Sequence, residues 1–215
     1  CIPAAIALYI YGRNKIIDNH DADAPRQSGK LSMKFWIAWF GFFTTISSEF
    51  ATSFWSAALL SDRTGASAAF STLCVAALGT GFGIGRWFIP IWMRKTTLDI
   101  RLKTILTIQF ISFMLFWLSH NLVFSLIMLL FVGIGISGQF PMTMVRIIKL
   151  SDGKPDLAMG KSAYAAGAAI ALAPFLLGFF GDHIGISKAY LMVPVFIACS
   201  FGAILLSSLQ EPLKH

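Results

Sequence analysis

Charge is scarce in this 215-residue sequence: Asp, Glu, Lys and Arg together make up 13%. A soluble domain carries about 25% to solvate its surface, so an ordinary water-soluble enzyme is excluded. Cysteine is scarcer still, with three residues in all. Cys1, Cys74 and Cys199 lie far apart with no CxxC pair, which supports neither a disulfide framework nor a zinc site. The four histidines (His20, His120, His183, His215) are scattered, so no metal is implied. A Walker A sequence is also missing, and with it nucleotide hydrolysis. In place of these the chain has 56% hydrophobic residues, 20 Phe and 6 Trp, too many for disorder. Mean hydropathy is +0.72. These are the proportions of a membrane protein.

Apolar runs of about 20 residues suffice to cross hydrocarbon. Six are present, near Phe35–Leu60, Ser67–Phe88, Leu102–Ser119, Leu122–Ile148, Ser162–Gly181 and Ala189–Leu209. The runs are long and lack two-residue alternation, which excludes β-barrel strands. Short connections make consecutive helices antiparallel neighbours. The expected fold class is therefore all-α, a polytopic transmembrane six-helix bundle over 35–209. Cys1–Tyr11 is apolar but too short to span, and reads as the tail of a preceding transmembrane helix. Gly12–Lys34, rich in Asp and basic residues, reads as a polar cytoplasmic linker. The last six residues, 210–215, form a cytoplasmic tail.

The distribution of Lys and Arg sets the topology. One side receives Arg13, Lys15, Arg26, Lys30, Lys34, Arg86, Arg94, Lys95, Arg101, Lys103, Arg146, Lys149, Lys154, Lys161 and Lys214; the other receives Arg63 and Lys188. Basic residues collect in short cytoplasmic loops, so the linker and C-terminus are assigned to the cytoplasmic side of the cell (inner) membrane. The net charge of +7 follows from this bias, and no nucleic-acid partner is needed. Trp36 and Trp39 mark the interface at the start of the first span.

Glu49 stands near the middle of that first span. An ionised carboxylate at this depth is costly, so it must face a cavity, meet a cation or hold a proton. Thr45, Ser48, Glu49, Thr52 and Ser56 recur at three- and four-residue spacing and share a face. Such a stripe either lines a polar path or hydrogen-bonds between helices. Gln109 and Gln139 are the amides at similar depth, with the same two readings. Pro141 and Pro174 should bend their helices and free carbonyls. The run Gly133–Gly138 spells GxGxxG, but inside an apolar span, where small residues serve close helix approach rather than dinucleotide binding; no cofactor is implied. Intramembrane catalysis needs two cooperating groups, and only one carboxylate lies at mid-span, so the chain is not read as an enzyme.

Local motifs add a resemblance. Glu49-x5-Trp55, then Arg63-Thr-Gly65 with Ser67 and Ala69, then Gly81-x3-Gly85-Arg86, together with Pro174-Phe-Leu-Leu-Gly178 running to Asp182-His-Ile-Gly185, resemble the C-terminal half of a major facilitator superfamily transporter of the fucose-permease-like, sugar or efflux branches. The loop after the second span departs from that pattern, reading Gly85-Arg-Trp-Phe where an Asp is usual. The resemblance implies twelve helices in all, the other six forming an N-terminal half of the same protein. A small-molecule substrate would bind at mid-membrane, and alternating access would come from rocking of the halves. It puts the first and fourth spans, with Glu49 and Gln139, beside the central cavity; with Thr45, Thr52, Ser56 and Gln109 these are the candidate substrate or proton cavity residues, and Gly85, Arg86 and Asp182 are the candidate conformational or gate positions. The expected function is secondary active transport of a small solute, coupled to H+ through Glu49. The rival expectation is a non-transporting six-helix subunit or scaffold that dimerises in the bilayer.

Overall fold

A computed structural model describes residues 27–65 and 68–209. The segments read as a helix tail over 1–11, most of the linker, Ser67 and the tail over 210–215 lie outside the described residues. Within them all regular structure is helical: α1 (Met33–Thr64), α2 (Ala68–Trp92), α3 (Leu98–Leu118), α4 (Leu122–Ile136), α5 (Gln139–Lys149), α6 (Pro155–Ile184), the single turn α7 (Ile186–Ala189) and α8 (Met192–Leu206).

The helix ends follow local chemistry. Ser32, Thr97 and Asn121 sit in extended conformation and accept the amides of Phe35, Ile100 and Phe124, so α1, α3 and α4 each begin on a side-chain cap. Pro155 opens α6 at a position where its missing N–H costs nothing. Gly65 ends α1 in the left-handed region at φ 66°, its N–H donating to Ser61 O.

Five stretches are long and apolar enough to cross a membrane: Thr72–Trp92, Leu98–Leu118, Leu122–Lys149, Pro155–Ile184 and Ile186–Leu206. The 32-residue α1 is as long as any of them but is not in that set. Thr44, Thr45, Ser47, Ser48, Glu49, Thr52, Ser53 and Ser56 dilute its apolar run. The described chain is thus an integral multi-pass helical protein with one unusually polar helix.

That polar helix is central. α1 packs between α6 and α8, while α4 packs between α2 and α3. The two groups of three meet through α1 against α2 and through α3 against α8, and α5 lies against α1, α3 and α6. Glycine makes the second group possible. A Cβ at Gly81 would strike the Leu130 carbonyl, and one at Gly133 would strike that of Leu78, so α2 and α4 touch backbone to backbone. The alternating glycines of α2 divide by face, because Gly79 and Gly83 meet open space.

The fourth predicted span is two helices. α4 ends at Ile136 and α5 restarts at Gln139, with Ser137 and Gly138 between them. Pro141, in the first turn of α5, is the cause: it has no N–H to give to Ser137 O four residues back. Pro174 instead lies within the continuous α6. There Trp55 of α1 rests on Gly178 and its Nε1–H donates to Pro174 O at 3.2 Å. Two of the motifs singled out in the sequence therefore meet in space.

Candidate functional site

The predicted polar residues fall into two groups. The first is buried. Thr45, Ser48, Thr52, Ser56, Gln109 and Gln139 are all within 1% of full burial. Thr45 donates to Gly41 O at 2.7 Å, Ser48 to Thr45 O at 2.8 Å and Thr52 to Ser48 O at 2.7 Å, so these hydroxyls are held by their own helix. Ser200 of α8 joins them, 2.8 Å from Thr44 and 3.0 Å from Thr45.

From Ser48 a ladder of amides crosses the bundle. Gln109 Nε2 donates to Ser48 Oγ at 3.2 Å; Gln139 Nε2 donates to Gln109 Oε1 at 2.7 Å and to Gly135 O at 2.9 Å. The Gly135 carbonyl must face a donor, which fixes the orientation of the Gln139 amide. Its Oε1 is left buried with no partner among the described residues. Gly135 is required here because a Cβ would come within 2.7 Å of the Gln109 amide nitrogen. The two glutamines, 30 residues apart in sequence, meet because α4 presses its glycine face on α3.

The second group is open. Glu49 is half-buried beside Ser53, whose Oγ donates to Glu49 O at 2.8 Å, and its carboxylate makes no hydrogen bond among the described residues. Arg86 of α2 is exposed and forms no ion pair with Glu49. Its Nε donates to Ser137 O at 3.2 Å, the carbonyl that Pro141 leaves unbonded, and its guanidinium lies 4.5 Å over the Phe82 ring. Gly85 allows this seat, since a Cβ there would collide with Ser137. Arg86 is therefore held at Nε and by its face, while its two terminal nitrogens find no acceptor among the described residues.

Asp182 lies in the last turn of α6, at the opposite end of the bundle from Gly85 and Arg86, and is exposed. Nearby, Arg63 donates to Ser187 Oγ from Nε at 3.0 Å and from Nη2 at 2.6 Å. It stacks 4.8 Å over Trp117, whose Nε1–H reaches Ser187 O at 2.7 Å. This contact ties the ends of α1 and α3 to α7.

One charged cluster is absent from the sequence expectations. Asp99, in the first turn of α3, accepts from Arg146 Nε at 2.8 Å, with side-chain exposures of 8% and 3%. Arg146 also donates Nη1 to Ser207 Oγ at 3.0 Å, and Nη2 to Ile204 O at 3.1 Å and Ser207 O at 2.5 Å; Asp99 Oδ2 accepts from Leu209 N at 2.8 Å. The pair closes the end of α8 and joins it to α3 and α5. The signal was slight: an acid in a first turn and a base in a last turn, each favoured by the helix dipole.

A small cleft inside the bundle is lined by Thr45, Thr143, Arg146 and Ser200 beside apolar residues. A groove of about 480 Å³ between α1 and α8 is lined by Met33, Trp36, Phe40 and Leu206, with Cys199 and Gly202, and offers no polar chemistry. Among the described residues no three of His, Cys, Asp and Glu come together as a metal site. No protein-family model matches the chain, nor does any curated protein.

Proposed function

We propose that the chain is the C-terminal six-helix half of a secondary active transporter of the major facilitator type, moving a small solute by alternating access with proton coupling. The carrying observation is Glu49, a half-buried carboxylate near the middle of α1 with no hydrogen-bond partner among the described residues, with Arg86 on the neighbouring α2 also left unsaturated at its terminal nitrogens. Such residues are expensive in a bilayer and are kept for ions and substrates. In this reading α1 is the sixth span, and its polar residues are tolerated because the other helices cover them.

The partner in this reading is an N-terminal half. Thr72–Trp92 and Pro155–Ile184 are 22% buried in their most apolar windows, against 39–50% for the other three spans. Gly79 and Gly83 of α2, and Gly160 and Gly167 of α6, face open space, as surfaces awaiting close helices do. The same surfaces favour the second reading, a dimerising membrane scaffold.

Glu49→Gln separates the two. In the intact protein, transport predicts that uptake loses its dependence on an imposed pH gradient, with the protein still inserted in the membrane. Unchanged uptake and unchanged pH dependence would remove the coupling role. The scaffold predicts that Glu49→Cys is closed to water-borne thiol reagents, whereas a cavity-facing residue is labelled.

A further inference from the structure

We infer that the turn joining α2 to α3 binds the headgroup of an anionic phospholipid, whose acyl chains lie on the exposed aromatic end of α2. The inference goes beyond the transporter reading and stands whether or not the chain carries a solute.

The turn lies at a membrane surface. One apolar span ends at Trp92 and the next begins at Leu98, so residues 93–97 sit where hydrocarbon gives way to headgroups. The turn is tightly built. Thr96 Oγ1 donates to Met93 O at 2.9 Å and accepts from Arg101 Nε at 3.4 Å, while Arg101 Nη2 donates to Arg94 O at 3.1 Å. Arg94 and Arg101, seven residues apart in sequence, are thereby fastened in a single turn. Lys95 follows Arg94, and both are exposed. Lys103 lies about 8 Å down α3 at 1.5 Å per residue. It shares that helix's outer face with Ile100 and Ile111, within reach of a headgroup for a side chain that snorkels.

Nothing in the fold neutralises these four cations. Asp99 is the one acid between Trp92 and Thr107, and it is taken by Arg146 at 2.8 Å. The side chains of Arg94, Lys95 and Lys103 find no acceptor among the described residues, and Arg101 keeps Nη1 free. The other basic turn, between α5 and α6, is built differently. Asp152 and Asp156 offset its lysines, and Lys154 Nζ is spent on Lys30 O at 3.0 Å. Like charges gathered without acids call for an anion, and guanidinium groups suit phosphate oxygens.

The neighbouring surface decides what bears that phosphate. Trp92 is 83% exposed and Trp87 72%, with Phe88 and Ile91 also open beside them. A soluble anion would use the cations and leave this apolar end idle. A phospholipid uses both, its phosphate on the turn and its chains against α2, and tryptophan is the residue that favours headgroup level.

The test is tryptophan quenching in the intact protein, reconstituted in phosphatidylcholine bilayers holding equal fractions of brominated phosphatidylglycerol or brominated phosphatidylcholine. The difference between the protein and its Trp92→Phe variant isolates Trp92. Brominated phosphatidylglycerol should quench Trp92 preferentially, and added salt should weaken the preference. Each engaged cation is worth roughly fivefold, so Arg94→Gln with Lys95→Gln should remove up to about 25-fold of the preference. Arg94→Lys with Lys95→Arg keeps both charges and should retain it, which separates lost binding from misfolding. Equal quenching by the two lipids, or a preference unchanged in the neutral double variant, overturns the inference. So does a Trp92 that neither lipid reaches, because protein then covers the surface. Loss of the preference to inorganic phosphate, at an ionic strength matched with chloride, would mark a soluble-anion site and overturn it equally.

Discussion

Two pairs of opposite charges divide this molecule. Asp99 and Arg146 are in contact at 2.8 Å, buried, and surrounded by Ser207, Ile204 O and Leu209 N–H until nearly every donor and acceptor is used. Glu49 and Arg86 form no ion pair, and among the described residues the carboxylate is unbonded and the guanidinium is hydrogen-bonded only at Nε. A saturated pair has nothing left to offer a ligand, and its charges are spent holding three helices together. An unsaturated pair does little for the fold, and keeping it costs solvation that only a ligand returns. The degree of saturation, more than depth or burial, separates the charges that build this bundle from those the fold leaves unused.

The sharpest way to break the comparison is to unsaturate the closed pair. Asp99→Asn leaves Arg146 buried without its counter-charge, and removing one partner of such a pair costs about 3–5 kcal/mol. Thermal unfolding of the protein in nanodiscs should show that loss, together with earlier release of the α8 end to proteolysis. Glu49→Gln should move the same transition far less. Equal shifts for the two variants would mean that Glu49 is structural too.

Much of this arrangement was legible in sequence, for definite reasons. Long apolar runs mark helices because a bilayer leaves few alternatives, and Glu49 stood out because intramembrane acids are rare. The face shared by Thr45, Ser48, Thr52 and Ser56 was also readable, but not its direction: in a membrane protein a polar stripe can point at water or at a neighbouring helix. Here Ser200 and Gln109 supply the neighbours. Asp99 and Arg146 were opaque because charges at helix ends look alike whether they mark topology or pair across 47 residues. The break before Gln139 was half legible. Pro141 announced a distortion, but not that Arg86 would take the carbonyl it freed.

A middle-sized effect belongs to the buried amides. Gly135→Ala puts a methyl within 2.7 Å of the Gln109 backbone nitrogen, an overpacking worth about 1–3 kcal/mol. It should also part Gln109 from Gln139. If the ladder is glue, stability falls and pH-dependent uptake persists in the folded fraction. If uptake is lost at unchanged unfolding temperature, the unpaired Gln139 Oε1 belongs with the acting groups, and saturation again marks function.

The smallest effect is the most discriminating for the outward surface. Gly79 and Gly81 are two residues apart on α2, yet a Cβ at Gly81 strikes Leu130 O while one at Gly79 meets nothing. Gly81→Ala should therefore destabilise by about 1–3 kcal/mol. Gly79→Ala should instead stabilise by about 0.5–1 kcal/mol, because alanine is the better helix former. Unfolding of this chain, prepared alone in detergent, measures both. Repeating the pair in the intact protein then asks what covers the outer face. If Gly79→Ala turns destabilising there, a helix sits against Gly79 and Gly83 as closely as α4 sits against Gly81. If it remains stabilising, that face is turned to lipid.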